Sequence, residues 1–262
     1  MAVLIPDLCR DLTNETGVLV AALEPLDDAD WDALTPAEAW TIKDQIAHLA
    51  FFDGAVVTAV TDPERFRTEL AALTGGFVEE QAARDRARRG SDTLAALLDA
   101  RDAMVEAFLH ADLSQRVPWY GPEMSVASAL TARIMETWAH GQDVFDTLHA
   151  VHPATAALRQ VAHIGVRALP NSYAARRMTV PLEPVRVELD APDGSTWIWG
   201  PDDASDHVTG PATDFCLVVT QRRHLADTAV RTSGDVAGQW MLIAQAFAGP
   251  PGSGRQPGQF RV

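Results

Sequence analysis

Up to about residue 150 the apolar residues of this chain recur at helical spacing, and the alternation expected of a strand first occurs beyond residue 180. That switch confines the fold to a helical body followed by a smaller unit of mixed type. Residues 2–23 carry Leu4, Leu8, Leu12, Val18, Leu19 and Leu23 on a helical pattern that Gly17 interrupts. Glu24 to Glu38 then holds six acidic residues, two prolines and no basic one, and reads as a solvated connection with room for one helical turn. Thr41 with Asp44 three residues on forms a capping-box-like start for the next helix. Ile42, Ile46, Leu49, Phe52 and Val56 give that helix a buried stripe, and Thr61-Asp62-Pro63 stops it. A third helical region spans about Glu64 to Ala87, broken at Gly75-Gly76. Ser91 is positioned to cap a fourth, whose apolar face is Leu94, Leu97, Leu98, Met104, Val105 and Phe108. The turn-rich Val117–Pro122 leads into a helix over about Ser125 to His149. The first 150 residues therefore predict an antiparallel helix bundle.

One more helix is expected from Ala154 to about Leu169. Pro184 to Asp190 then alternates through Val185, Val187 and Leu189, and Ala191-Pro192-Asp193-Gly194 supplies a turn into Thr196-Trp197-Ile198-Trp199, a hairpin pattern. Pro211–Thr220 reads as a helix, Thr228–Thr232 as a strand and Asp235–Phe247 as a last helix. The glycine- and proline-rich end reads as flexible. The reading is α+β overall, with a helical bundle over 1–150, a small α+β domain over 151–250 and a flexible tail over 251–262. No internal repeat is visible.

The net charge of −15, from 36 acidic and 21 basic side chains, argues against a nucleic-acid or anionic-membrane partner, both of which need a basic surface. It leaves room for a local pocket of arginines. Cys9 and Cys216, far apart and outside any CxxC pattern, point to a reducing compartment and buried free thiols. With no run of eighteen apolar residues and no basic-then-apolar leader, the expected location is the cytoplasm. Walker, GxGxxG and GxSxG motifs are absent. Trp197 and Trp199 share a strand face and are expected to pack the core of the second domain.

The residues suited to chemistry lie in two segments nearly ninety residues apart. In a helix, Glu136 and His140 stand one turn apart on one face, so both heads can reach one point. His48, on its own amphipathic helix, is the candidate third donor. A His, Glu, His set leaves coordination positions free for water or substrate, as a catalytic metal requires. The plain alternative makes Glu136 a surface residue and the two histidines satisfied core residues. Against it, a carboxylate among Leu130, Ile134, Trp138 and Phe145 needs a partner. Asp143, one turn beyond His140, could orient its imidazole or be an exposed acid. Arg133, one turn before Glu136, could reach the same pocket. The run Arg84, Arg86, Arg88, Arg89 reads as a solvated face, and the remaining histidines as structural or surface residues.

The frame Trp40-Thr41-Ile42-Lys43-Asp44-Gln45-Ile46-Ala47-His48-Leu49, followed by Glu136-Thr137-Trp138-Ala139-His140-Gly141-Gln142-Asp143, resembles the DinB-like metal-binding helical bundles. Among these it is most similar to the mycothiol-dependent maleylpyruvate isomerase group. His207–Asp214 and Arg231-Thr232-Ser233-Gly234-Asp235 resemble that group's small C-terminal domain, which is similar to sterol-carrier domains. The resemblance implies a four-helix bundle holding a divalent metal, usually zinc, through His48, Glu136 and His140. It implies a low-molecular-weight thiol of the mycothiol type as cosubstrate and a small electrophile as substrate. The reaction would be an isomerisation or an S-transfer, and the ligand set fits either. It also implies a basic residue from the second domain at the active site, for which Arg222 is the choice, with Arg133 as a second cation. A complete set of dicarboxylate-binding residues cannot be aligned, which leaves the substrate open. The oligomeric state is not encoded in any motif. A non-catalytic metal-containing protein that binds a small molecule or lipid is the alternative.

Overall fold

The computed structural model describes residues 4–73, 76–77, 80, 86–252 and 254–260. It is 54% helical with 10% strand, an α+β protein, and divides into two compact units, residues 1–157 and 158–262.

The first unit is built on α1 (Ile5–Leu23), α3 (Ile42–Thr61), α5 (Gly90–Leu109) and α6 (Val126–Thr147), with the short α2 (Asp28–Trp31) and α4 (Pro63–Ala71) between them. Helices α1 and α3 each pack against both α5 and α6, which closes a four-helix bundle. One core cluster joins Leu8, Leu12, Val56, Phe108, Leu130 and Ile134; the other joins Leu19, Leu23, Trp31, Ile46, Leu49 and Val144. Each such side chain contributes about 1.5–3 kcal/mol when taken fully out of water.

Several expectations shift in instructive ways. Helix α1 runs unbroken through Gly17, because that residue lies on the solvent side and the Leu8, Leu12, Leu19 and Leu23 stripe holds the helix on both sides of it. Helix α5 starts at Gly90, two residues earlier than a cap at Ser91 would place it, with Arg89 at the N-cap position and no side-chain cap. The start is fixed by packing instead: a Cβ on Gly90 would lie 2.2 Å from the Trp31 ring. The acidic connection contains a real capping box, in which Asp27 accepts from Asp30 N and Asp30 accepts from Asp27 N, and this launches α2. The turn-rich segment before α6 is a minimal hairpin of β1 (Arg116–Val117) and β2 (Met124–Ser125), and Ser125 also caps α6. Residues 74–75, 78–79 and 81–85, with the expected break at Gly75 and with Arg84, lie outside the described residues.

In the second unit, α7 (Ala157–Arg167) and α8 (Leu169–Ala174) precede β3 (Val185–Asp190) and β4 (Thr196–Trp199), the expected antiparallel hairpin. The sheet is larger than that hairpin, with order β4-β3-β5-β6. Strand β5 (Asp206–Pro211) pairs parallel to β3, and β6 (Arg231–Ser233) pairs antiparallel to β5. Helix α9 (Ala212–Val219) packs on β3 and β5, and α10 (Asp235–Ile243) on β5 and β6. Phe215, Trp240, Val187 and Val208 are completely buried in this unit. Trp197 and Trp199 are not core residues: half-buried, they face α7, with the Arg159 guanidinium 5.8 Å from the Trp197 ring and Trp199 Nε1 donating to His163 Nδ1 at 3.3 Å. Part of the C-terminal tail is anchored, since Gly258 N donates to the Asp227 carboxylate and Arg223 lies 4.7 Å from the Phe260 ring. Among the described residues no helix is long and apolar enough to cross a membrane.

Candidate metal centre

The start of α3 is fixed first. Thr41 Oγ1 accepts from Asp44 N at 3.2 Å and Asp44 Oδ2 accepts from Thr41 N at 2.9 Å, a closed capping box one turn before Gln45 and two before His48. A cap of this kind contributes about 1 kcal/mol. Here it also sets the rotation of the helix. The Asp44 carboxylate, fully buried, is held from its other side by Arg86 Nε at 3.0 Å. The arginine run is therefore not wholly a solvated face. In the loop before α3, Ala39 adopts a φ of 62°, and the Trp40 ring that follows lies 5.1 Å from His48 and 6.0 Å from His140, centroid to centroid.

Helix α6 brings Glu136 and His140 to the same place. His140 Nε2 is 3.1 Å and His48 Nε2 3.9 Å from Glu136 Oε2, and one ligand atom from each of the three residues lies within 4.8 Å of the others. The side chains retain only 12–22% of their exposure, enough for one open side. Burial, and then the neighbouring His140, lower the His48 pKa to about 4 against the upward pull of Glu136, so this imidazole is neutral at neutral pH. Burial alone would raise the Glu136 carboxyl. Hydrogen bonds from His140 and His48 and the charge of Arg133 outweigh it and hold the group well below the usual carboxylate range.

The protonation pattern decides what the site can hold. His140 Nδ1 makes a short hydrogen bond with Gln45 Oε1, and amide oxygen only accepts, so the proton is on Nδ1. Gln45 is itself fixed, because its Nε2 donates to Thr35 Oγ1 at 2.8 Å and that hydroxyl donates to Trp40 O at 2.9 Å. His140 Nε2, His48 Nε2 and Glu136 Oε2 face one another across this short span, and a divalent cation shared between them would replace the contacts they now make to each other. The donor set of two imidazoles and one carboxylate suits zinc or a similar divalent ion. The sequence left Asp143 either to orient the His140 imidazole or to be an exposed acid; the hydrogen bond to His140 Nδ1 is made by Gln45, and Asp143 is fully buried. Gln45 was missed, although a glutamine three residues before His48 on an otherwise apolar face is a readable signal.

Arg133 is one turn before Glu136, as expected, but its guanidinium is already engaged. Nε donates to Asp53 Oδ1 at 2.9 Å and Nη2 to Leu49 O at 3.3 Å. Arg101 Nε takes the other oxygen, Asp53 Oδ2, at 2.7 Å, and its Nη1 donates to Thr16. Asp53 thus bridges two buried arginines, of which Arg133 reaches the site through its charge on Glu136 and His48. Asp53 was also missed, though a carboxylate in the middle of the α3 stripe demands such a partner. Arg222 lies in the second unit, after α9, where its Nη1 donates to Thr220 O at 2.7 Å. Behind the centre, His152 stacks between Trp138 and Phe145 and pairs with the buried Glu15 at 2.8 Å, a structural role as expected.

Comparison with known proteins adds three findings. A family model described as the mycothiol maleylpyruvate isomerase N-terminal domain matches residues 12–145, and one described as wyosine base formation matches residues 181–233. Two uncharacterized proteins of Mycobacterium tuberculosis, one from strain H37Rv and one from strain CDC 1551, are each 45% identical over 248 residues, covering 94% of this chain and 96% of theirs. The crystal structures of a mycothiol-dependent maleylpyruvate isomerase and of its point mutant superpose with TM-scores of 0.61 and 0.62 at 17% and 18% identity, covering 88% of this chain and 93% of theirs. At that identity the likeness speaks for the fold.

Proposed function

Because the chain belongs to the family of the mycothiol maleylpyruvate isomerase N-terminal domain, we propose that it is a divalent-metal enzyme that uses a mycothiol-type thiol on a small electrophile. The observation that carries this reading is the arrangement of His48, Glu136 and His140, three lone-pair donors within 4.8 Å of one another. A divalent ion held there, zinc by preference, would supply the positive charge that keeps a thiol ligand ionised at neutral pH, where a free thiol with its pKa near 8.5 is mostly protonated.

The chain's own residues prepare the site. Gln45 holds the proton of His140 on Nδ1 and leaves Nε2 free to coordinate. The depressed pKa of His48 means that it need not release a proton to act as a ligand. Glu136 contributes one negative charge, so the ligand set leaves a net positive centre that favours an anionic sulfur. Addition of a thiolate sulfur to an activated carbon–carbon double bond moves the π electrons onto the activating carbonyl. Rotation about the resulting single bond and expulsion of the same sulfur yield the trans alkene. Protonation of the adduct at carbon yields a thioether instead. The three ligands serve both outcomes. Arg133 acts through its charge on Glu136 and His48, and Arg222 is assigned to substrate binding from the sequence.

The test is turnover of an activated alkene with mycothiol, read as loss of the alkene or appearance of the thioether, for the zinc-loaded protein, the metal-stripped protein and Glu136→Gln. Rates that collapse in the last two support the proposal, and full activity in the stripped protein refutes it. Arg222→Ala should raise KM while metal content stays unchanged.

A further inference from the structure

The flank of the centre beside His48 is a sheet of aromatic rings. Phe52, one turn after His48 on α3, lies 4.6 Å from the His48 ring, centroid to centroid. From Phe52 the contacts run to Tyr120 at 5.3 Å and Trp119 at 5.9 Å, both on the turn of the β1–β2 hairpin. Phe77 stacks on Tyr120 at 5.2 Å. Phe66 of α4, 2% exposed, supports the group from below, stacked on Trp119 with 6° between the ring planes. Phe52, Phe77, Trp119 and Tyr120 are each only half-buried, so the rings form a shelf that begins at a metal-ligand side chain and is accessible within the first unit.

Two further observations indicate what the shelf accepts. The cation nearest in effect to the triad, Arg133, stands with its Cζ 6.0 Å from the Phe52 ring centroid, but its Nε and Nη2 donate to Asp53 and to the Leu49 carbonyl, so on this flank it backs the ring rather than offering those donors to a ligand. The Tyr120 hydroxyl has no hydrogen-bond partner among the described residues, and burial, with the charge of Glu69, pushes its pKa up to about 12. It is a neutral donor on an otherwise apolar surface. We propose that Phe52, Trp119 and Tyr120 form the specificity subsite, which takes a flat apolar group of the electrophile, aryl or extended alkenyl, while the Tyr120 hydroxyl donates to an acceptor on it. This rests on the thiol-enzyme reading for the word electrophile, but the subsite itself does not depend on the reaction.

Benzalacetone, an aryl enone, is the probe, titrated calorimetrically into the protein as purified with no thiol present, with maleate as the compact dicarboxylate control. Saturable binding of benzalacetone is expected, with maleate binding far more weakly. Trp119→Ala should weaken it about tenfold, in keeping with the loss of a large ring contact. Tyr120→Phe, which keeps the packing and hence the fold, should weaken it about threefold to tenfold by loss of one hydrogen bond. No saturable binding, binding by both variants as tight as the parent's, or tighter binding of maleate overturns the subsite and assigns the rings to packing. Since no thiol is added, benzalacetone binding that responds to the variants would stand even if mycothiol turnover failed. Turnover with unaltered benzalacetone binding would sink the subsite alone.

Discussion

Gln45 and Asp53 show how much of this site is held by residues that touch no substrate. Gln45 fixes the tautomer of His140 through one oxygen, and Thr35 fixes Gln45. Replacing Gln45 with Leu keeps the volume and removes the acceptor. Zinc affinity measured by competition with a chelator should fall about 10- to 100-fold while the circular dichroism spectrum is retained. Unchanged affinity would show that the tautomer needs no partner. Asp53 accepts from two buried arginines, one on each carboxylate oxygen, so Asp53→Asn removes the counter-charge that they share. Breaking a buried ion pair in this way costs about 3–5 kcal/mol, and urea unfolding should show a loss of that order. The convergence of His48, Glu136 and His140 was legible because i,i+4 spacing on a helix fixes a pair and an apolar stripe flags a third residue. The groups that orient them were harder to read, because a hydrogen bond from α6 to Gln45 spans 95 residues and no local spacing encodes it.

At the scale of elements, the sequence was most readable where a single period ran without interruption. Helices α3 and α6 and the β3–β4 hairpin follow their hydrophobic patterns closely. Strand β5 was missed because Asp206–Pro211 contains a glycine and a proline and pairs parallel to β3 across a long connection, so neither composition nor a tight turn announces it. The start of α5 was misplaced for a similar reason: Gly90 is dictated by Trp31, not by a capping side chain. Two substitutions of the same kind should therefore act in opposite directions. Gly90→Ala drives a methyl into the Trp31 ring and should destabilise by about 1–3 kcal/mol. Gly17→Ala fills open space on α1 and should stabilise by about 0.5–1 kcal/mol. Thermal unfolding of the two variants beside the parent decides it, and a shared sign would contradict the packing described for α1 and α5.

For the whole molecule, the chemistry assigned to the bundle is separable from the protein's own thiols. Cys9 and Cys216 are both buried and unpaired, and burial pushes both thiols up, Cys216 well above its usual range. Neither supplies a thiolate near neutral pH, and neither belongs to the cluster of potential ligands. A thiolate seen at the centre must then come from an added molecule. The most direct measurement is the near-ultraviolet spectrum of the cobalt-substituted protein titrated with mycothiol, alongside the His48→Ala variant. A sulfur-to-cobalt charge-transfer band that rises and saturates with mycothiol in the parent, and is missing in His48→Ala, is the predicted result. Cobalt bound with no such band at any thiol concentration, or the same band in the variant, would contradict thiol activation at His48, Glu136 and His140.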